Sequence, residues 1–168
     1  MKQNIVIYPN QILLEKTRDI PIDQINSNTY SQIGSSMIEI MKKKGGVGLS
    51  ANQVGLPLNM CVIATNISDV KIMLNPRILK SSKVTDDSSE GCLSVPGALC
   101  KLKRHNWVEI AYETVDGETV EERLSGFAGY VVQHEIDHLQ GILILNRLNE
   151  YSRNKAMKQM HRFKTRLQ

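Results

Sequence analysis

Apolar side chains recur at helical spacing in two parts of the chain. Residues 28–44 form an amphipathic pattern, and Gly45 follows three lysines where that helix is expected to end. A second pattern covers about residues 126–140 and is apolar on several sides, which is typical of a buried helix. A third, more polar helix is predicted over residues 152–166.

Short segments between these helices have the character of β-strands. They cover residues 60–64, 72–74, 108–112 and 119–124. Asn75-Pro76 is expected to end the second strand, and Asp116-Gly117 forms a tight turn that joins the last two strands as a hairpin. The predicted fold is therefore α+β, with antiparallel strands packed around a central buried helix and with a C-terminal helix.

The length and composition are those of one globular domain. Of the 168 residues, 41% are hydrophobic and 23% are charged, so we expect a single domain over residues 1–168. The sequence shows neither a signal-peptide pattern nor an apolar run of about 18 residues, which predicts a cytoplasmic protein without membrane contact. A bacterial-type cytosol is expected, although an organelle or the cytosol of a virus-infected host also fits. A monomer is expected.

The strongest chemical signal is an HExxH motif on the predicted buried helix. His134 and His138 are four residues apart, so both imidazoles lie on one helix face and can bind one metal ion. Glu135 is placed to reach a water molecule at that ion without binding it. The alternatives are two core histidines satisfied by hydrogen bonds, or a chance match.

A catalytic site of this kind needs a third ligand. The HExxHxxGxxH arrangement fails because Ile144 stands where its third histidine should be. Glu150 follows the second histidine by only twelve residues, so a glutamate ligand from a later helix is poorly supported. Cys92 lies in a loop rich in glycine, serine and proline, and its thiolate would be a strong ligand. Cysteine and two histidines would leave a fourth position for water, as in catalytic zinc sites.

Three segments together resemble the peptide deformylase family. They are Gly46-Val-Gly-Leu-Ser-Ala-Asn-Gln53, Glu90-Gly-Cys-Leu-Ser94 and Gln133-His-Glu-Ile-Asp-His138, in the order found in the family. The resemblance covers nearly the whole chain. It implies a metal-dependent hydrolase that removes the N-formyl group from the initiator methionine of nascent polypeptides and releases formate.

The resemblance implies a catalytic role for particular residues. Cys92, His134 and His138 would bind one divalent ion per chain. Iron(II) is the implied physiological ion, while zinc, nickel and cobalt also suit the ligand set. A metal-bound water molecule would attack the formyl carbon, with Glu135 as general acid and base.

The resemblance also implies contacts with the substrate. Gln53 and the backbone N–H of Leu93 would stabilise the negative charge that develops on the formyl oxygen. Val47 and Gly48 would contact the N-formylmethionyl peptide, and a glycine allows close approach. The methionine side chain is expected in an apolar pocket whose walls, inferred from helical phase, are Phe127, Tyr130 and Val131.

Several residues have a second interpretation from the sequence alone. Gln53 could be an ordinary surface residue, and Glu90 could be either a solvated loop charge or a partner of a metal ligand. Arg104 could support the site, line the substrate channel or be exposed. Ser50 and Asn52 replace the alanine and threonine that are common in the family, and their role is not evident from the sequence.

Two other functions are carried forward as alternatives. The HExxH motif by itself also fits a metallopeptidase that cuts internal peptide bonds. A basic C-terminal segment, with seven basic residues and one acidic residue from Arg147 onward, could bind RNA or the ribosome. A solvated helix face explains the same charges, and ribosome contact could coexist with catalysis.

Overall fold

The three predicted helices are present. The computed structural model describes residues 4–25, 28–66 and 69–166. Its α-helices over these residues are α1 (Asn28–Lys43), α2 (Gly126–Leu139) and α3 (Glu150–Arg166). None of these helices is long and apolar enough to span a membrane.

Within the described part of the chain, seven strands form two antiparallel sheets. The strands are β1 (Gly48–Ser50), β2 (Met60–Ala64), β3 (Val70–Ser81), β4 (Thr85–Gly91), β5 (Leu99–His105), β6 (Trp107–Glu113) and β7 (Thr119–Ser125). Five of them form one sheet in the order β1-β2-β3-β6-β7, and β4 pairs with β5 alone. The predicted hairpin is formed by β6 and β7.

Strand β3 does not end at Asn75-Pro76, so that prediction was wrong. The pairing of β3 with β6 shifts register between Leu74 and Arg77, which is a bulge that accommodates a proline within a sheet. Asn75 has a positive φ of 48°, and its side chain bonds both the N–H and the carbonyl of Ile20. Beyond this bulge the strand continues to Ser81.

The β4–β5 hairpin was not predicted, because β4 is almost entirely polar. Its sequence is Thr-Asp-Asp-Ser-Ser-Glu-Gly, and Ser88 is its buried residue. The register pairs Glu90 with Cys100 and Asp86 with Arg104. This pairing fixes the positions of Glu90 and of Cys92, which follows β4.

Helix α2 lies at the centre of the fold, as predicted. Its apolar residues Val132, Ile136 and Leu139 pack in one cluster with side chains of the five-stranded sheet. The helix also contacts β5 of the smaller sheet. The sequence therefore places both motif histidines on a rigid, buried element.

Candidate metal centre

Three side chains converge between α2 and the end of β4. The Cys92 Sγ lies 3.2 Å from the His138 Nε2, and the two Nε2 atoms of His138 and His134 are 3.2 Å apart. One ligand atom from each of the three residues lies within 4.8 Å of the other two. The structure thus brings together the three residues predicted as ligands.

The chemistry of this cluster fits a metal ion. On a tetrahedral ion with metal–nitrogen bonds of about 2.0–2.1 Å, two ligand nitrogens lie about 3.3 Å apart. The 3.2 Å between the two Nε2 atoms is close to that separation. The Nδ1 of His134 is already engaged by Glu90, so its Nε2 is the nitrogen left to bind an ion.

Glu90 orients the first histidine. The Nδ1–H of His134 donates to the Glu90 Oε2 at 2.8 Å, and Arg104 donates to both carboxylate oxygens of Glu90 at 2.8 and 2.9 Å. Burial would raise the pKa of Glu90, but the hydrogen bonds from Arg104 and His134 lower it to about 2. Glu90 is therefore a charged partner of a predicted ligand, and the alternative of a solvated loop charge was wrong.

Arg104 extends this contact into a buried charge network. Its side chain is 2% exposed, and its Nη1 donates to Asp137. Asp137 also accepts hydrogen bonds from Arg147 through both carboxylate oxygens. The alternative of an exposed Arg104 was therefore wrong. Sequence reasoning missed Asp137, although it lies inside the HExxH motif next to the second histidine.

We predict that Arg104→Met destabilises the fold by about 3–5 kcal/mol, because it leaves the buried Glu90 carboxylate without its guanidinium partner and removes one of the two arginines that pair with Asp137. Urea unfolding measures this change. Lys103→Met is the control, since the neighbouring Lys103–Asp87 pair is exposed on both sides. Equal stability of the Arg104 variant and wild type would contradict the stabilising role of the network.

Gln53 lies inside the protein, so its interpretation as a surface residue was wrong. It belongs to a short 3-10 helix, Ala51–Val54, that follows β1. Its Oε1 accepts the N–H of Ser50 at 3.0 Å, and its Nε2 donates to the Ser94 Oγ at 3.1 Å. The same Nε2 also faces the Cys92 Sγ at a longer distance of 3.7 Å.

The two departures from the common family motif are part of this arrangement. The Ser50 hydroxyl donates to the Asn52 Oδ1 at 2.8 Å, and the Asn52 Nδ2 donates to the carbonyl of His138 at 2.6 Å. Both side chains are fully buried. Asn52 therefore joins the 3-10 helix to the C-terminal end of α2, which carries His138.

Glu135 faces the backbone of β1 at very short range. A Cβ atom added to Gly48 would lie 2.3 Å from the Glu135 Oε1, so a larger residue would displace the carboxylate. Glu135 is 3% exposed, and within the described residues its Oε2 has no hydrogen-bond partner. Burial raises the pKa of Glu135 to about 7. The carboxyl group is thus able to accept or release a proton near neutral pH.

A cavity of about 630 Å³ lies against the cluster. Its lining includes the predicted catalytic and substrate residues Val47, Gly48, Gln53, Leu93, Phe127, Tyr130, Val131 and Glu135. Val131 is buried and Phe127 is exposed at the rim. The Tyr130 hydroxyl donates to the Asp86 Oδ2 at 2.7 Å, so this wall carries a polar group that helical phase did not reveal.

An α+β fold in which an HExxH helix and a cysteine meet beside a cavity defines a metal-dependent hydrolase. The family model of polypeptide deformylase matches residues 2–154. The chain belongs to the peptide deformylase family, whose metal-dependent members remove the N-formyl group from nascent polypeptides.

Individual relatives agree with this assignment. The peptide deformylase of Aquifex aeolicus is 38% identical, over 94% of this chain and 94% of its own length. That of Bartonella bacilliformis is 35% identical, over 94% of this chain and 91% of its own length. A crystal structure of a peptide deformylase from Legionella pneumophila has a TM-score of 0.90 at 28% identity and covers 98% of this chain and 96% of that one. These matches favour the deformylase over the metallopeptidase hypothesis.

Proposed function

We propose that this chain hydrolyses the N-formyl group of the initiator methionine at a centre held by Cys92, His134 and His138. The convergence of one sulfur and two Nε2 atoms beside the cavity is the observation that carries the proposal. Iron(II), zinc, nickel and cobalt all suit this ligand set, and we assign iron(II) as the physiological ion because the family resemblance implies it. When bound, the ion supplies Lewis acidity that activates water near neutral pH.

Glu135 moves the proton in this scheme. It accepts a proton from the attacking water molecule as the new bond to the formyl carbon forms. It then delivers that proton to the methionine nitrogen as the carbon–nitrogen bond breaks, which releases formate and a free amine. The close approach to Gly48 and the position of Glu135 in the cavity lining support this role, because they hold the carboxyl group at the cavity.

Gln53 and Leu93 stabilise the oxyanion. The Gln53 amide is fixed through Ser50 and Ser94, and its contact with the Cys92 Sγ is long enough to be exchanged for a stronger acceptor. The developing charge on the formyl oxygen is such an acceptor. The backbone N–H of Leu93, next to Cys92 at the cavity, serves as the second donor.

We predict that Gln53→Ala lowers kcat by about 100- to 1000-fold, which is the usual effect of losing one oxyanion donor. Formate release under saturating substrate measures this change. Gln32→Ala, at an exposed position on α1 outside the cavity, is the control substitution. A Gln53 variant with wild-type kcat would remove the amide from the mechanism.

The substrate peptide lies along β1. This strand is at the edge of the five-stranded sheet, so its outer backbone groups are available to an extended peptide. Val47 and Gly48 contact the peptide backbone there. The methionine side chain enters the part of the cavity lined by Phe127, Tyr130 and Val131.

Residues 1–168 act as one catalytic domain and as a cytoplasmic monomer. The family match over residues 2–154 and the similar lengths of the bacterial relatives support one domain. The cytoplasm is where bacterial nascent chains emerge, which supports that location.

Ribosome contact is proposed through α3. Its exposed basic side chains are Arg153, Lys155, Lys158, Arg162 and Arg166. Deleting the helix would also remove the buried residues Ala156 and Met160, so charge reversal is the cleaner test. We expect the triple variant Lys155→Glu, Lys158→Glu, Arg162→Glu to lose salt-sensitive co-sedimentation with ribosomes. Unchanged co-sedimentation would remove α3 from the contact.

Formate release from formyl-Met-Ala-Ser tests the function itself. Protein prepared anaerobically with iron or nickel should release one formate per peptide, and chelator treatment should abolish this activity until metal is restored. Unformylated Met-Ala-Ser controls for cleavage of internal bonds. Absence of formate from freshly loaded protein would contradict the proposal.

A further inference from the structure

The C-terminal helix contributes a side chain to the catalytic cavity. Phe163, near the end of α3, lines the cavity together with Pro96 and Gly97 of the loop that follows Cys92. The ring packs directly on Gly97, where an added Cβ would lie 2.5 Å from the Cβ of Phe163. Gly97 also has a positive φ of 78°. The glycine therefore makes room for the aromatic ring at the wall of the cavity.

Neighbouring contacts hold Phe163 in this position. Met160, almost one turn earlier, is buried in a cluster that includes Val95 of the same loop. The Lys164 ammonium donates to the carbonyl of Tyr8 at 3.2 Å, and the Tyr8 N–H donates to the carbonyl of Ser94 at 3.0 Å. The end of α3, the N-terminal segment and the loop are thus joined. Phe163 nevertheless keeps 40% of its surface exposed.

We infer that Phe163 forms an apolar subsite for the peptide residues that follow the substrate methionine. This inference rests on the proposed function, which places the formyl group at Glu135 and the methionine side chain among residues of α2. Phe163, Pro96 and Gly97 line the same cavity but belong to α3 and to the loop after Cys92, whereas Glu135 and the proposed methionine pocket belong to α2. The following residues are the part of the substrate left to occupy it.

The chemistry of the wall sets the expected preference. An aromatic ring fixed by its neighbours loses little conformational entropy when a ligand packs on it. An apolar side chain after the methionine would cover the exposed part of the ring, whereas glycine would not. The subsite should therefore favour formyl-Met-Leu-Ala over formyl-Met-Gly-Gly.

The ratio of kcat/KM for these two peptides tests the inference. Phe163→Ala should lower the preference for formyl-Met-Leu-Ala by about five- to tenfold, in the range expected for lost apolar contact in a pocket. Phe163→Leu should restore most of the preference, because it returns an apolar wall. Tyr151→Ala is the matched control, since Tyr151 is an aromatic residue of the same helix that is 80% exposed and outside the cavity.

The outcomes separate this inference from the proposed function. An unchanged ratio in Phe163→Ala, in a wild-type background that releases formate, would overturn the subsite and leave the deformylase activity in place. An equal fall for both peptides would also overturn it, because that result identifies Phe163 as purely structural. Absence of formate from both peptides with wild-type protein would instead reject the proposed function.

Discussion

We expect that replacing Glu135 with glutamine lowers kcat by about 100- to 10,000-fold while the protein keeps one metal ion per chain. The magnitude is that of lost general acid–base catalysis. Glutamine preserves the shape of the side chain next to Gly48, so the cavity and the three proposed ligands stay in place. Formate release and metal analysis on the same preparation measure the two quantities.

The control for this variant is Glu121→Gln. Glu121 is exposed on β7, so the same chemical change there should leave turnover and metal content as in wild type. Turnover of Glu135→Gln close to the wild-type rate would exclude the assigned role. Loss of the metal from Glu135→Gln would show that the carboxylate is a ligand, which also contradicts the proposal.

We expect that replacing Cys92 with alanine removes both the metal and the activity. The sulfur is one of only three proposed protein ligands, and its loss leaves two imidazoles on one helix as an incomplete site. We expect metal content well below one ion per chain after gel filtration, and formate release at background. Metal analysis and the formate assay on one preparation measure these two quantities.

Cys100→Ala is the matched control for Cys92→Ala. Cys100 is buried on β5, opposite Glu90 in the β4–β5 register, and its side chain belongs to the same apolar cluster as Cys92. Its replacement should lower stability through lost packing but should retain the metal. If Cys92→Ala kept a full complement of metal, the assignment of the sulfur would fail.

The sequence was sufficient to predict the three helices and the histidine pair of the candidate metal centre. The apolar pattern of residues 126–140 identified a buried helix, and HExxH placed two imidazoles on one face of it. Both features depend on local spacing, which sequence displays directly. The third residue, Cys92, could be selected because its loop context was unusual for a core cysteine.

Features that depend on distant contacts were harder to predict. Strand β4 has no apolar alternation, since its polar side chains serve the site and its partner strand rather than the core. Pro76 ended the predicted strand, but a bulge between Leu74 and Arg77 accommodates it and β3 continues.

The same limit applies to residues around the site. Arg104 had three possible interpretations, because its partners Glu90 and Asp137 lie on two other elements. Gln53 was ambiguous because its partners Ser50 and Ser94 are joined only in the fold. Phe163 had no sequence signal at all, since Gly97 lies 66 positions earlier in the numbering.

The most direct test of the central claim is X-ray absorption spectroscopy of the metal-loaded protein. The proposed centre predicts one sulfur and two imidazole nitrogens bound to the ion, with the sulfur at about 2.3 Å in the zinc form. If Cys92→Ala retains any metal, the spectrum of that metal should contain no sulfur contribution. A wild-type spectrum without a sulfur ligand, or one without imidazole ligands, would contradict the proposed centre of Cys92, His134 and His138.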